Sequence, residues 1–466
     1  MRGRCRGAWR AAPRLTAIVM LAAGLAALAG CSADGPASNG RATGQPTDSE
    51  AAAPGQTAPG QTTASQAFGG SVLVGLPRNA SRGQSVLLGV ACTSSGECTA
   101  GGYYTDTEGG TVALVVALAQ GRWARATEVR LPPDASVVQS AQVNAVACTG
   151  RGDCVAVGRY YGPARGDRGF AVTEQHGTWS RAVPVSSAAN GGMQTADLEA
   201  VACTSTGNCT AVGNYRVGPN TDGMAITETA GAWGQPRELR MSPDSEANPD
   251  AYMTGVACSG AGDCVATGWY DSLTTHAQAA FAAMEVSGTW QRGDDVQPPP
   301  ASQGHGARLA TVRCVPGGGC LAAGSYQTVS YTEAFSVMES AGRWSGPAGM
   351  TPIPASGPGV SVLPIGCAST RRCFATVRYG LFLPGAGAIP QPVPAGSPVM
   401  LVLTRSPGHR SHVHWAQTAG VRQPTGAGAG GPELTSVGCA ADGYCAAVGS
   451  YLTGTGTARA MAATTR

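Results

Sequence analysis

The chain has 466 residues, with 31 arginines and no lysine against 28 acidic residues, for a formal net charge of +3. The arginines are scattered, so no basic stripe marks a nucleic-acid face, and nucleic acid is not expected as a partner. Only 13% of residues are charged while 68 are glycine, a balance that fits a turn-dense all-β chain rather than a helical one. Alanine, glycine and arginine in such excess over lysine also suggest the GC-rich coding that actinobacteria use.

Residues 1–31 read as an export signal. Arg2, Arg4, Arg6, Arg10 and Arg14 form a positive start, and Leu15 to Ala27 is an uncharged apolar run. It ends in Leu28-Ala29-Gly30-Cys31, which resembles the lipobox of bacterial lipoproteins, whose cysteine is acylated and becomes the mature N-terminus. The alternative is an uncleaved membrane anchor. The apolar run is short for a span, and small residues before a cysteine fit cleavage. The resemblance makes Cys31 the lipidation site and the outer face of the cell membrane the expected location. Cys5 would leave with the signal. Residues 32–67 hold no aliphatic or aromatic side chain larger than alanine, proline aside. Such a segment cannot bury enough surface to offset its ordering entropy, so it reads as a tether with an end-to-end distance of roughly 30–35 Å.

From Phe68 to the end the chain repeats. Seven cysteine pairs, each with five intervening residues, occur at Cys92/Cys98, Cys148/Cys154, Cys203/Cys209, Cys258/Cys264, Cys314/Cys320, Cys367/Cys373 and Cys439/Cys445. Their first members are 56, 55, 55, 56, 53 and 72 residues apart. A tyrosine follows each second cysteine by six residues: Tyr104, Tyr160, Tyr215, Tyr270, Tyr326, Tyr379 and Tyr451. A period near 55 residues with short apolar runs predicts four strands per unit. In the first unit these are Val86–Thr93, Glu97–Tyr104, Thr111–Ala119 and Trp123–Leu131. The first two can form a hairpin whose opposed cysteines are close enough to bond. The disulfides would then tie strands within one unit and not unit to unit, holding hairpins whose own cores are small. Glycine stands four residues after the first cysteine at Gly96, Gly152, Gly207, Gly262, Gly318 and Gly443, where a positive φ is expected. Unit six has Arg371 there, so its hairpin should differ. A Gly-x-Trp turn separates the third and fourth strands at Trp123, Trp179, Trp233, Trp290 and Trp344. Unit six keeps Trp415 without the glycine.

The last unit supplies only three strands before the chain stops. Phe68-Gly69-Gly70-Ser71-Val72-Leu73-Val74 matches the fourth-strand pattern Trp179 to Val185 in the spacing of its aromatic and valines. The N-terminal strand is therefore expected to complete the last unit, as in a circular repeat. Seven four-stranded units closed in this way resemble a seven-bladed β-propeller. The competing architecture is an open β-solenoid. The Gly-x-Trp turn is distantly similar to the end of the Asp-box repeat of sialidase-like propellers. The serine and aspartate of that motif are absent, as in Glu174-Gln175-His176-Gly177-Thr178-Trp179, so the resemblance implies architecture and no sialidase chemistry.

Candidate chemistry is sparse. Cys-x5-Cys could ligate metal, but no unit has a second pair or a repeating histidine, and an exported chain favours disulfides. No cofactor or metal is expected. The tyrosines could ring a ligand, or simply end a strand and pack against the next unit. His409, His412 and His414 cluster before Trp415; a polar hairpin is the ordinary reading. Arg-Gly-Asp at Arg151, Arg165 and Arg292 resembles integrin ligands, yet Gly-Asp turns explain it. In such propellers the loops between second and third strands, and between units, share one face that commonly binds ligands. Those loops carry Asp106, Glu108, Asp222, Asp244, Glu246, Asp250 and Asp271 as a possible ligand face, and Gly380 to Pro398 is an insertion that could border it. No Ser-His-Asp set, phosphate loop or dinucleotide fingerprint is present. The reading is a membrane-anchored monomeric propeller that binds a carbohydrate, peptide or protein. The alternative is an extracytoplasmic hydrolase or lyase using loop carboxylates, and a third option is a purely structural envelope protein.

Overall fold

A computed structural model describes residues 68–137, 139–162, 166–185, 195–245, 250–314, 319–330, 332–350, 360–362, 364–369, 372–379, 399–405, 413–417, 421–422, 424 and 427–465. Cys31, the tether, Gly318, Arg371, Glu246, His409, His412 and the Gly380 to Pro398 insertion lie outside them. The described residues form antiparallel strands, with one short 3-10 turn at Pro300–Ser302 and no α-helix. None of them forms a helix long and apolar enough to cross a membrane.

Seven sheets are present among the described residues. The first is built from Ala80–Ser94, Glu97–Asp106 and Thr111–Ala119, followed by an outer strand in two pieces, Arg122–Trp123 and Thr127–Glu128. The unbroken outer strand expected over Trp123–Leu131 is interrupted for a reason. At the break the Ala126 amide donates to Gly75 O at 2.7 Å, so the chain pairs there with the outer edge of the neighbouring sheet. The next four sheets repeat the plan. In the sixth the inner strand is split into Val360–Val362 and Gly366–Ser369, both paired with Arg372–Tyr379. The seventh, Ala427–Cys439, Cys445–Thr453 and Ala458–Thr464, is completed by Val72–Leu73, which pairs with Ala462 and Met461. Phe68 bridges Thr465 at the register where Trp179 meets Glu174 in the second sheet.

The cores show how the sheets are arranged. The sheets are apolar on both faces, and each apolar cluster is shared between two successive sheets. Val129 and Leu131 of the first sheet pack with Val143 and Tyr160 of the second. The same sharing links sheets two and three, three and four, four and five, and five and six. Phe374 of the sixth meets Leu434 and Met461 of the seventh, and Val448 and Ala462 of the seventh meet Leu87 and Leu114 of the first. The order therefore closes on itself in a propeller-like ring, and a narrow axial cavity of about 60 Å³ is lined by inner-strand residues of all seven sheets.

Local chemistry accounts for the repeated joints. The seven cysteine pairs are disulfides: Cys92–Cys98, Cys148–Cys154, Cys203–Cys209, Cys258–Cys264, Cys314–Cys320, Cys367–Cys373 and Cys439–Cys445. Their Cα–Cα distances are 3.9–4.1 Å, and each joins directly opposed positions of the first hairpin. Each bridge ties strands within one sheet, as expected, and its second sulfur has a further role. Cys98, Cys154, Cys320 and Cys373 are 4, 3, 4 and 2% exposed, and each lies inside a cluster shared with the neighbouring sheet. Cys154 Sγ of the second sheet lies 3.4 Å from Thr99 Oγ1 of the first. The covalent bond is within one sheet, but its second sulfur is packing material between two. Oxidised and enclosed in this way, these cysteines offer no thiolate to a metal or a reactant.

The hairpin-tip glycine has a second reason beyond φ. At Gly152 (φ 73°) an added Cβ would lie 2.6 Å from the Gly177 amide nitrogen, because that amide donates to Gly152 O at 2.9 Å. Tip and Gly-x-Trp turn are thus clamped backbone to backbone within one sheet. The turn tryptophans are half-buried, whereas Trp415 is fully buried and donates to Ser336 Oγ at 3.1 Å. The six repeat tyrosines whose side chains are described, Tyr104, Tyr160, Tyr215, Tyr270, Tyr326 and Tyr451, are buried in the shared cores. Tyr104, Tyr160 and Tyr270 are fully buried, and their hydroxyls donate to Asn79, Asp134 and Asp295. Burial and the Asp134 carboxylate push the Tyr160 hydroxyl up to about 12.

Candidate functional site

The inner strands carry a device that the repeat does not advertise. In six sheets the pairing skips one residue, four positions before the first cysteine: Leu88, Asn144, Glu199, Thr254, Ala310 and Thr435. Each is a β-bulge, which re-aims a side chain and sharpens the local twist. The polar bulge residues reach across to the next sheet. Asn144 Nδ2 donates to Leu198 O at 2.9 Å, Thr254 Oγ1 to Leu309 O at 2.8 Å, and Thr435 Oγ1 to Leu87 O. Glu199 is the charged exception.

Two residues before each bulge, cross-strand pairs form a ring around the mouth of the axial cavity: Val86/Tyr103, Gln142/Arg159, Asp197/Asn214, Tyr252/Trp269, Arg308/Ser325 and Glu433/Ser450. One sector is acidic. Asp197 and Glu199 lie close enough for each carboxyl to act on the other. Asn144 Nδ2 donates to Asp197 Oδ1 at 2.8 Å. Arg159 lies 3.7 Å from Asp197 and 3.1 Å from Asp167. Burial raises both carboxyls of the pair above the usual carboxylate range; the Glu199 charge adds to this at Asp197, and Arg159 opposes it. The pair opens into a pocket of about 330 Å³ also lined by Asp167, Asn214, Asp250 and Tyr252.

The adjacent sector is aromatic and cationic. Tyr252 stacks on Trp269 at 4.4 Å between centroids, and the Arg308 guanidinium lies 4.6 Å over the Trp269 ring. Trp269 and Arg308 line a second recess, of about 260 Å³, between sheets four and five. Tyr252 borders the acidic pocket, so the two sectors are continuous.

The loop acids expected to form a ligand face behave differently from one another. Asp106 accepts from the Glu108 and Gly110 amides at 3.0 and 2.7 Å, closing its own turn. Asp244 accepts from Ser272 Oγ, Thr274 Oγ1 and the Thr274 amide, which hold it below the usual carboxylate range. Asp250 accepts from the Thr221 amide at 3.1 Å and lines the acidic pocket. Asp222 is raised by burial and by the charges of Glu238 and Asp250. Asp271 ends the second strand of sheet four. Among the described acids, Asp222 and Asp250 come within reach of each other. Sequence reasoning missed Asp197, Glu199, Arg159 and the Tyr252/Trp269 pair. Aligning the units on their cysteines and asking where they differ would have found them. Among the described residues no group of three or more histidine, cysteine or acidic side chains is placed to hold a metal ion.

No model of a known protein family matches the chain, and no curated protein matches it. Solved structures are similar at low identity. A protein of unknown function from Dyadobacter fermentans is 10% identical over 86% of this chain and 99% of its own, with a TM-score of 0.43. The phage phi92 endosialidase is 10% identical over 85% of this chain and 69% of its own, at 0.44. The parainfluenza virus 5 hemagglutinin-neuraminidase ectodomain is 8% identical over 86% and 85%, at 0.40.

Proposed function

We propose that the protein is a seven-bladed β-propeller, acylated at Cys31 and held by its tether at the outer face of the cell membrane, which binds a polar ligand at the axial mouth. One observation carries the reading: a carboxylate pair and an aromatic platform lie side by side on the same mouth. A polar ligand with an apolar face is served by both, since hydroxyls or amides meet Asp197, Glu199 and Asn214 while the face lies against the stacked Tyr252 and Trp269 side chains. Carbohydrates and peptides are the two classes with that character. Arrays of glycans and peptides exposed to the 68–466 fragment test it. Binding should fall on Trp269→Ala, and silence across both arrays would remove the reading. For the anchor, Cys31→Ala should release the protein from the membrane fraction; unchanged fractionation and mass would sink it.

A second reading, an extracytoplasmic hydrolase or lyase, is favoured by the Asp197–Glu199 pair alone. A carboxyl that keeps its proton near neutrality beside one that has lost it can serve as acid and base. Turnover of any array ligand that vanishes in both Asp197→Asn and Glu199→Gln would support it. Binding without turnover leaves the scaffold reading.

A further inference from the structure

At the opposite end of the sheets, where the disulfides lie, the third-strand residue facing the second cysteine varies in an ordered way. It is Leu118 in sheet one and Leu403 in sheet six, but Glu174, Glu228 and Glu339 in sheets two, three and five. Glu285 stands at that position in sheet four, next to the Val265/Met284 pair. These glutamates are 5, 2, 5 and 6% exposed for Glu174, Glu228, Glu285 and Glu339. Glu339 accepts from the Gly342 amide at 2.7 Å. In Glu174, Glu228 and Glu285 the Oε2 atom is buried without a hydrogen-bond donor. A buried carboxylate oxygen left unpaired is costly, so it marks a place that is either strained or made for a donor.

The seams between neighbouring sheets decide which. At this end several seams are laced by side chains near the hairpin tip. Ser95 Oγ donates to Asp442 at 2.8 Å between sheets one and seven. Arg151 lies 3.4 Å from Glu97 between one and two, and Thr206 hydrogen-bonds Thr149 at 3.0 Å between two and three. The position of Ser95, Arg151 and Thr206 is Ala261 in sheet four, preceded by Gly260. Neither has a polar side chain to reach sheet three. A cleft of about 540 Å³ opens at this seam, and both Glu228 and Glu285 line it, with Arg237, Ala261 and Trp290. Glu174 does not border this cleft.

We propose that this cleft binds a primary ammonium group carried on an apolar stem. Burial and, at Glu285, the Asp263 charge raise both carboxyls, while Arg237 lowers Glu285; ionising both beside this one guanidinium leaves negative charge for a bound cation to balance. An ammonium supplies a positive charge and three donors beside the carboxyl groups of Glu228 and Glu285 that line the cleft, whereas a neutral hydroxyl supplies donors and no charge. Trp290 and the Cys258–Cys264 disulfide offer the wall for the stem, with a cation–π contribution from the indole. The chain has no lysine to occupy the cleft itself. The site is independent of the axial mouth: Asp197 and Cys203 are six residues apart on one strand, about 20 Å.

The test is calorimetric titration of the full chain with n-pentylamine and with Nα-acetyl-lysine amide, using 1-pentanol and glucose as neutral probes. Pentylamine should bind saturably and about tenfold or more tighter than 1-pentanol. Binding of the lysine derivative as well would assign the site to lysine side chains; binding of pentylamine alone would assign it to free amines. The double variant Glu228→Gln/Glu285→Gln should abolish binding, Ala261→Thr should abolish it by restoring the seam, and Glu174→Gln should leave it unchanged. If the double variant fails to unfold cooperatively, Ala261→Thr decides. Equal affinity for amine and alcohol, saturation by glucose instead, no saturable amine binding, or unchanged amine binding in Ala261→Thr would each overturn the proposal.

Discussion

Closure of the ring by the N-terminal strand predicts a large, local and measurable role for Phe68. Its ring is 4% exposed and packs in the core shared by the sixth and seventh sheets, edge-on to Phe374 at 5.6 Å between centroids. The strand that follows is held by few backbone bonds, Gly69 N to Thr464 O at 2.8 Å and Val74 N to Ala460 O at 3.3 Å among them. The closing strand is therefore fixed by two apolar anchors, Phe68 in the core of the sixth and seventh sheets and Val74 in the core of the seventh and first. Phe68→Ala should cost about 3–5 kcal/mol, the usual range for emptying a buried phenylalanine site. With an unfolding entropy of about 2.1 cal/mol/K per residue over roughly 400 residues, that is a fall of about 4–6 °C in Tm. The coupling with Phe374→Ala in a double-mutant cycle should be about 0.5–1.5 kcal/mol. Amide exchange should accelerate first in Ala458–Thr464, the strand Val72 and Leu73 cover. A loss under about 1 kcal/mol with no coupling would mean that the strand rests on the seventh sheet without closing anything.

The same geometry fixes four further outcomes. Ala230 and Ala341 hold φ of 49° and 52° at the first position of two-residue turns, so Ala230→Gly and Ala341→Gly should each raise stability by about 1 kcal/mol in urea titration; a loss would contradict the left-handed assignment. Tyr270→Phe removes a 2.6 Å bond to Asp295 in the outer strand of the same sheet and should cost about 1.5–3 kcal/mol in the same assay; unchanged stability would show that the hydroxyl is not holding that strand. Removing any one disulfide should cost roughly 2–2.5 kcal/mol from loop entropy, read from paired cysteine-to-alanine variants. Pairs such as Cys98 and Cys154, whose sulfurs also fill a shared core, should lose more than that, and far smaller losses would refute both accounts. Asp197 is pushed up to about 8, so its neutral form is the one the fold prefers. Stability from this group is complete below the unfolded value near about 3.9 and declines as pH rises through the folded one. Asp197→Asn should therefore flatten the decline between pH about 4 and 8, with Glu199, Arg159 and Asp167 as the charges that face it; parallel pH profiles would rule this out.

What could be read in the sequence was whatever recurs. Cys92/Cys98 and its six copies, with the glycine at most hairpin tips and the tryptophan after most turns, are fixed by constraints the sheets share, so their spacing located the strands and the pairing at each disulfide hairpin. Phe68 was legible because it copies the spacing of Trp179 to Val185. The burial of Cys320 and Cys373 against a neighbouring sheet was not legible, since spacing within a hairpin says nothing about what lies across its face. The axial site was hidden as well, because Asp197 and Glu199 occupy positions that are Val86 and Leu88 in one unit and Tyr252 and Thr254 in another. The bulge that turns Glu199 toward the axis has no residue signature, since leucine, asparagine, threonine and alanine all stand at its equivalents. Asp106 accepts from the amides of its own turn and Asp244 from Ser272 and Thr274 in another loop, roles that a sequence cannot distinguish from contact with a ligand. The buried glutamates did leave a trace: Glu174, Glu228, Glu285 and Glu339 recur at 54, 57 and 54 residues, in step with the cysteines they face.

The placement of departures from the repeat has a physical basis. Each apolar cluster is shared by two sheets, so a side chain on a sheet face is constrained by a neighbour as well as by its own strand. Volume changes there are resisted in two places at once. The strand ends are free of that constraint, and both candidate sites lie at them: Asp197 and Glu199 at the start of Thr195–Ser205, and Ala261 at the tip that follows Tyr252–Gly260. Sheets three and four contribute to both. A side chain exchanged at either end alters charge, reach or access without touching the shared cores, which is why the same pair of sheets can carry an acidic mouth at one end and an open seam at the other.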